Sequence, residues 1–78
     1  MMLEKLTELL KGLHPEADIE NEDGLIDNGI LNSFDIVTII AEVDDMFDVK
    51  IPASEIVPEN FNSVRALSDL VERISEEF

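Results

Sequence analysis

The sequence predicts an all-α fold of three longer helices and one short one, with a long loop between the first two helices. Three observations carry that reading. Apolar residues recur at helical spacing in three separate segments. The stretch between the first two of these has no sustained period. The chain has 78 residues and no Cys, so no disulfide or zinc staple is available and compact helix packing must supply the stability.

The first helix is expected over residues 2–13, where Leu3, Leu6, Leu10 and Leu13 follow each other at i, i+3, i+7 and i+10. Gly12 and Pro15 end it. From His14 to Asn32, acids, Gly24 and Gly29 alternate with isolated anchors at Ile19, Leu25, Ile26, Ile30 and Leu31. This reads as a long connection pinned to the core by those side chains, and a loop of that length is a candidate for function. His14 is read as the polar end of the first helix.

The second helix should run from Ser33 to about Asp48, capped by the Asn32 side chain and favoured by Asp35 at its third position. Ile36, Ile40, Val43 and Phe47 form its core stripe. Phe34, Val37 and Ala41 form a second stripe on the other side. Periodicity leaves two readings of these three open: a helix buried nearly all round, or apolar surface left exposed. Val49-Lys50-Ile51-Pro52 breaks the helix. A short helical turn at about Ala53 to Val57 follows, closed by Pro58. Asn62 or Ser63 then caps a last helix with a stripe of Val64, Leu67, Val71, Ile74 and Phe78.

Charge narrows the function. Nineteen acids against five bases give a net charge of −14. Eleven acids (Glu16, Asp18, Glu20, Glu22, Asp23, Asp27, Asp35, Glu42, Asp44, Asp45 and Asp48) lie between Lys11 and Lys50, with no Lys or Arg among them. Phosphate backbones and anionic membranes repel such a chain, so no nucleic-acid binding and no membrane insertion are expected. The start lacks a continuous apolar core, and cytoplasmic residence is expected. One His, no Tyr and no Trp leave few groups for acid–base catalysis near pH 7. No calcium-loop pattern fits the acids of residues 16–27, which are read as a solvated loop rather than a metal site. Asp44, Asp45 and Asp48 crowd the negative end of the second helix, with no base at i±3 or i±4. Two readings stand, a tolerated defect or a surface held acidic for a partner, and the second is favoured.

Ser33 is the candidate site. It opens the second helix at the end of the acidic loop, so its hydroxyl should be exposed beside free backbone amides, where an anion is welcome. A serine there is most often only a helix-start residue. Its context decides: Asn32-Ser33-Phe34-Asp35, an Ile/Val-rich helix, Phe47-Asp48-Val49-Lys50-Ile51-Pro52, a short turn and a capped last helix resemble an acyl carrier protein over essentially the whole chain.

That resemblance implies a small four-helix bundle formed by residues 1–78 as one carrier domain. It also implies that Ser33 carries covalent 4'-phosphopantetheine, transferred from coenzyme A by a phosphopantetheinyl transferase. The arm would hold acyl groups as thioesters and present them to transferases, ligases and synthases with basic docking patches, which makes the chain a non-catalytic carrier, not an enzyme. Phe34, Val37 and Ala41 would be the apolar contact, with Asp35, Glu42, Asp44, Asp45 and Asp48 as the acidic rim. A monomer is expected. Asn32 stands where the family usually has Asp, which predicts slower transfer by some transferases, and Phe34 replaces the commoner Leu. Fatty-acid or related acyl-chain biosynthesis, the commonest role in the family, is the pathway the resemblance implies first, with the other carrier types as the alternative. The run Asp27-Asn28-Gly29-Ile30-Leu31-Asn32-Ser33 also resembles D-alanyl and some aminoacyl carriers, and polyketide or peptide-synthesis carriers share the pattern. An unmodified acidic adaptor is the alternative from a different class.

Overall fold

The computed structural model describes residues 2–76. Its helices are α1 (Met2–Leu13), α2 (Ser33–Phe47), α3 (Pro58–Phe61) and α4 (Val64–Glu76), with a 3-10 turn at Ala53–Glu55. No strand occurs among the described residues. The arrangement is the expected four-helix one, three long helices and one short.

The α1 stripe turns Leu6 and Leu10 fully inward, while Leu3 and Leu13 pack at its margin. Its principal neighbour is α4, whose Val64, Leu67, Leu70, Val71 and Ile74 complete that side of the core. Phe78, the expected end of the α4 stripe, lies outside the described residues. The start of α4 is set by Ser63, whose Oγ accepts the Ala66 amide at 3.0 Å.

The buried face of α2 differs from the expected stripe. Ile39 and Val43 are fully buried, whereas Ile36, Ile40 and Phe47 are only partly covered. At about 100° per residue the buried centre between Ile39 and Val43 lies about 40° to one side of Ile36. The expected stripe had the right side of the helix but not its centre. Turning α2 this way leaves Phe34 and Val37 at 83% and 65% exposure, which resolves the open question in favour of an exposed apolar face. The helix ends where Asp48 adopts a left-handed conformation (φ 56°, ψ 42°) and donates its amide to the Asp44 carbonyl at 2.9 Å.

Pro58 opens a helix rather than closing one. Val57 is extended, and Pro58 takes the first helical position, where its missing N–H costs nothing. The short helix it starts buries Phe61 against the core and packs on α4. The turn before it spans Ala53–Glu55 and is held by Arg73, which grips both carboxylate oxygens of Glu55 at 2.9 and 3.0 Å. That contact lowers the Glu55 carboxyl below its ordinary range.

The 14–32 loop is integral to the core. Ile19, Leu25 and Leu31 are buried, and Ile26 and Ile30 pack beside them. Its central turn is built on Leu25, whose carbonyl accepts the amides of Ile30 and Leu31 at 3.0 and 2.9 Å. Gly29 makes this turn possible through a left-handed φ of 75°. Asn62, one of the two expected α4 caps, instead reaches the loop. Its Oδ1 accepts the Ile26 and Asp27 amides at 2.9 and 3.1 Å, its Nδ2 donates to Asp27 at 3.1 Å, and its carbonyl accepts the Leu25 amide at 2.8 Å.

Candidate functional site at the head of the second helix

The first four amides of a helix lack intrahelical acceptors. In α2 two of these are satisfied reciprocally: Asn32 Oδ1 accepts the Asp35 amide at 3.0 Å, and Asp35 Oδ2 accepts the Asn32 amide at 3.0 Å. The Ile36 amide then begins the ladder on the Asn32 carbonyl at 3.1 Å. The amides left over at the head of the helix are those of Ser33 and Phe34. Ser33 is exposed at the first helical position, so its hydroxyl stands beside these two donors at the positive end of the macrodipole. The arrangement fits a phosphodiester on Ser33: the oxygen is accessible, and the backbone around it offers charge and hydrogen bonds to an anion.

Asn32 preserves the cap that an Asp would make. Asp35 is anchored from a second direction, because His14 at the end of α1 places Nε2 2.7 Å from the same Asp35 Oδ2. The other ring nitrogen, Nδ1, lies 3.1 Å from Glu16. The hydrogen bond to Asp35 holds the His14 imidazolium above the ordinary imidazole value against the opposing effect of burial, with Glu16 assisting. Burial pushes the Asp35 carboxyl up, but the bonds from the Asn32 amide and from His14 outweigh it and keep it below the usual carboxylate range. Glu16 is lowered by its own amide and by His14.

The outer face of α2 carries the remaining expected residues. Phe34, Val37 and Ala41 share one exposed side of the helix. Glu42 and Asp45 are exposed beside them, and Asp48 is exposed at the helix end. Asp44 is half-buried and pairs with Lys50, whose Nζ reaches its two oxygens at 3.2 and 3.1 Å. The base that eases this acidic end therefore comes from the following coil, six residues on, where a search at helical spacing does not look. Asp35 departs from the acidic rim: its side chain is 14% exposed and turned toward α1.

Behind this face, Ile26, Ile36, Ile56, Val57, Pro58 and Phe61 line an apolar pocket of about 140 Å³. His14 and this pocket were not legible in the sequence. A lone His twenty-one residues from its partner carries no periodic signal, and the pocket joins loop and helix positions that only the fold brings together. No group of three or more potential metal ligands occurs among the described residues, and no described helix is long and apolar enough to cross a membrane.

The head of α2 thus combines an exposed hydroxyl with nearby acids and an exposed apolar face. The family model described as "Phosphopantetheine attachment site" matches residues 3–71. An aminoacyl carrier protein 1 of Bradyrhizobium diazoefficiens is 39% identical over 71 residues, covering 86% of this chain and 78% of its own. D-alanyl carrier proteins of Streptococcus uberis (36% identical; 74% of this chain, 72% of the relative) and Streptococcus sanguinis (31%; 92% and 89%) are also similar. The chain belongs to the acyl carrier protein family, whose covalent cofactor is phosphopantetheine.

Proposed function

We propose that Ser33 is the phosphopantetheine attachment residue and that the chain carries aminoacyl or other small acyl groups as thioesters between enzymes. The observation that carries this reading is the exposed Ser33 hydroxyl beside two free amides at the head of α2. The arm supplies a terminal thiol that forms the thioester. The chain's own residues do the rest: Asn32 and Asp35 fix the helix start, and the Ser33 and Phe34 amides offer hydrogen bonds to the phosphate. Phe34, Val37 and Ala41 present an apolar contact, bordered by Glu42, Asp44, Asp45 and Asp48 for enzymes with basic patches. In this reading residues 1–78 are one non-catalytic carrier domain acting as a cytoplasmic monomer.

The aminoacyl cargo is supported by the names of the relatives. A fatty-acyl or polyketide cargo is the second reading, favoured by the apolar pocket under Ile36 and Phe61. Incubation with coenzyme A and a broad-specificity phosphopantetheinyl transferase should add one phosphopantetheine to the intact mass, and Ser33→Ala should abolish the addition. Modification of the Ser33→Ala variant, or no addition to the native chain with several transferases, would sink the attachment assignment. An unmodified adaptor would instead bind its partner equally well with Ser33→Ala. Loading of the modified chain with amino acids or fatty acids by cognate ligases then separates the two cargo classes.

A further inference from the structure

We propose that His14 is a positioning residue for Ser33, holding the Asn32–Asp35 capping box from the end of α1 and so coupling the presentation of the hydroxyl to the protonation of one imidazole. The proposal rests on Ser33 being the modified residue and goes beyond it by naming what fixes that residue in place.

The geometry carries the argument. Asp35 Oδ2 is a shared acceptor, taking the Asn32 amide at 3.0 Å and His14 Nε2 at 2.7 Å. Any displacement of that oxygen is therefore felt at Asn32, the residue before Ser33. Each imidazole nitrogen faces a carboxylate, and a carboxylate only accepts. Neutral histidine carries one N–H and can satisfy one of these acids; only imidazolium donates to both. The His14 and Asp35 side chains are 20% and 14% exposed, so water competes weakly for the bond. The charged groups facing the ring are Asp35 from α2 and Glu16 from the loop. Lys11, the nearest base on α1, is turned to Glu20 at 2.8 Å.

The chain thus has a strut between two helices that is fully engaged when His14 is charged. Loss of the proton from Nδ1 releases Glu16 and removes charge assistance from the bond that remains on Asp35. The capping box persists on its own two bonds, so the helix does not melt. What loosens is its attachment to α1, and with it the fixed placement of Ser33.

The test follows the ring and the helix head together. In the full chain labelled with nitrogen-15, the Asn32, Ser33 and Asp35 amides should titrate with the His14 ring as pH is raised through the neutral and mildly alkaline range, and should stay flat in His14→Gln. In parallel, phosphopantetheine transfer by one transferase is measured across the same range. His14→Phe should lower kcat by about tenfold with KM little changed, inside the 10²-fold that a 1 Å misplacement costs. His14→Gln, whose amide can still donate to Asp35, should stay within about twofold, with its rate relative to the native chain rising as pH rises. Amide shifts that ignore the ring titration, or His14→Phe with native kcat, would overturn the proposal. A native chain that takes no phosphopantetheine overturns the attachment assignment instead, and the amide titration then still decides whether His14 is coupled to the capping box.

Discussion

Arg73 and Glu55 form a two-pronged ion pair, with Nη1 and Nη2 each 2.9 to 3.0 Å from a separate carboxylate oxygen. The pair fastens the Ala53–Glu55 turn to α4 and so fixes the approach to Ile56, Val57 and Pro58, which wall the apolar pocket. Glu55 also accepts Asn60 Nδ2 at 3.1 Å, tying the turn to α3. Arg73→Ala and Glu55→Gln should each lower Tm, and the double variant should lose less than the sum. Because the Glu55 carboxyl is held below its ordinary value, this coupling is present above that value and disappears as pH falls through the lowered one. Strict additivity in thermal melts at neutral pH would show that the pair is not coupled.

Asn62 joins the α3–α4 junction to the loop through three side-chain hydrogen bonds. Asn62→Ala strands the Ile26 and Asp27 amides and should cost about 2 kcal/mol in urea denaturation. A loss no larger than that of an ordinary surface substitution, about 0.5 kcal/mol, would mean that water replaces the side chain freely.

Phe34 contributes little to the folded core at 83% exposure. Phe34→Ala should leave stability within about 0.5 kcal/mol while raising the KM of the transferase for this chain. An unchanged KM would place the docking contact elsewhere.

Stability should also depend on His14. A raised imidazole value in the fold means that its contribution is complete below about pH 6.5, the unfolded value, and is lost as pH rises through the folded one. Urea midpoints should therefore fall as pH rises from about 6.5 through the raised imidazole value in the native chain and hold level in His14→Gln. Asp35 acts with the opposite sign, losing its contribution in acid as pH falls through its lowered value. Native midpoints that are flat over the upper range would contradict the His14 assignment.

Much of the fold was legible because short-range chemistry decides it. The α1 stripe gave bounds of Met2–Leu13, and Asn32 followed by Asp35 announced the α2 start that the capping box confirms. Ile19, Leu25 and Leu31 stood out as apolar residues in a polar stretch, and all three are core. The failures occur where one residue type serves two purposes. Pro58 can follow a helix or begin one, and extended Val57 settles the choice. Asn62 and Ser63 are both good caps, and the loop thirty-six residues away claims the first. The exposure of Ser33 at the head of α2 was legible, and Phe34, Val37 and Ala41 were placed on one side of the helix that the structure leaves exposed. The inward turn of Asp35 was not legible, since its cause is a histidine just past the end of α1, twenty-one residues away.

The dependence of the 14–32 loop on Asn62 has a consequence for the order of events during synthesis. Leu25, Ile26 and Asp27 find their acceptors only when Asn62 is present, and the turn built on Leu25 leads directly into Asn32. A nascent chain that has emerged only through α2 has His14, Asn32, Ser33 and Asp35 but lacks the Asn62 that holds the loop between them. The course of the loop that leads into α2 is therefore fixed only once the far half of the chain has been made.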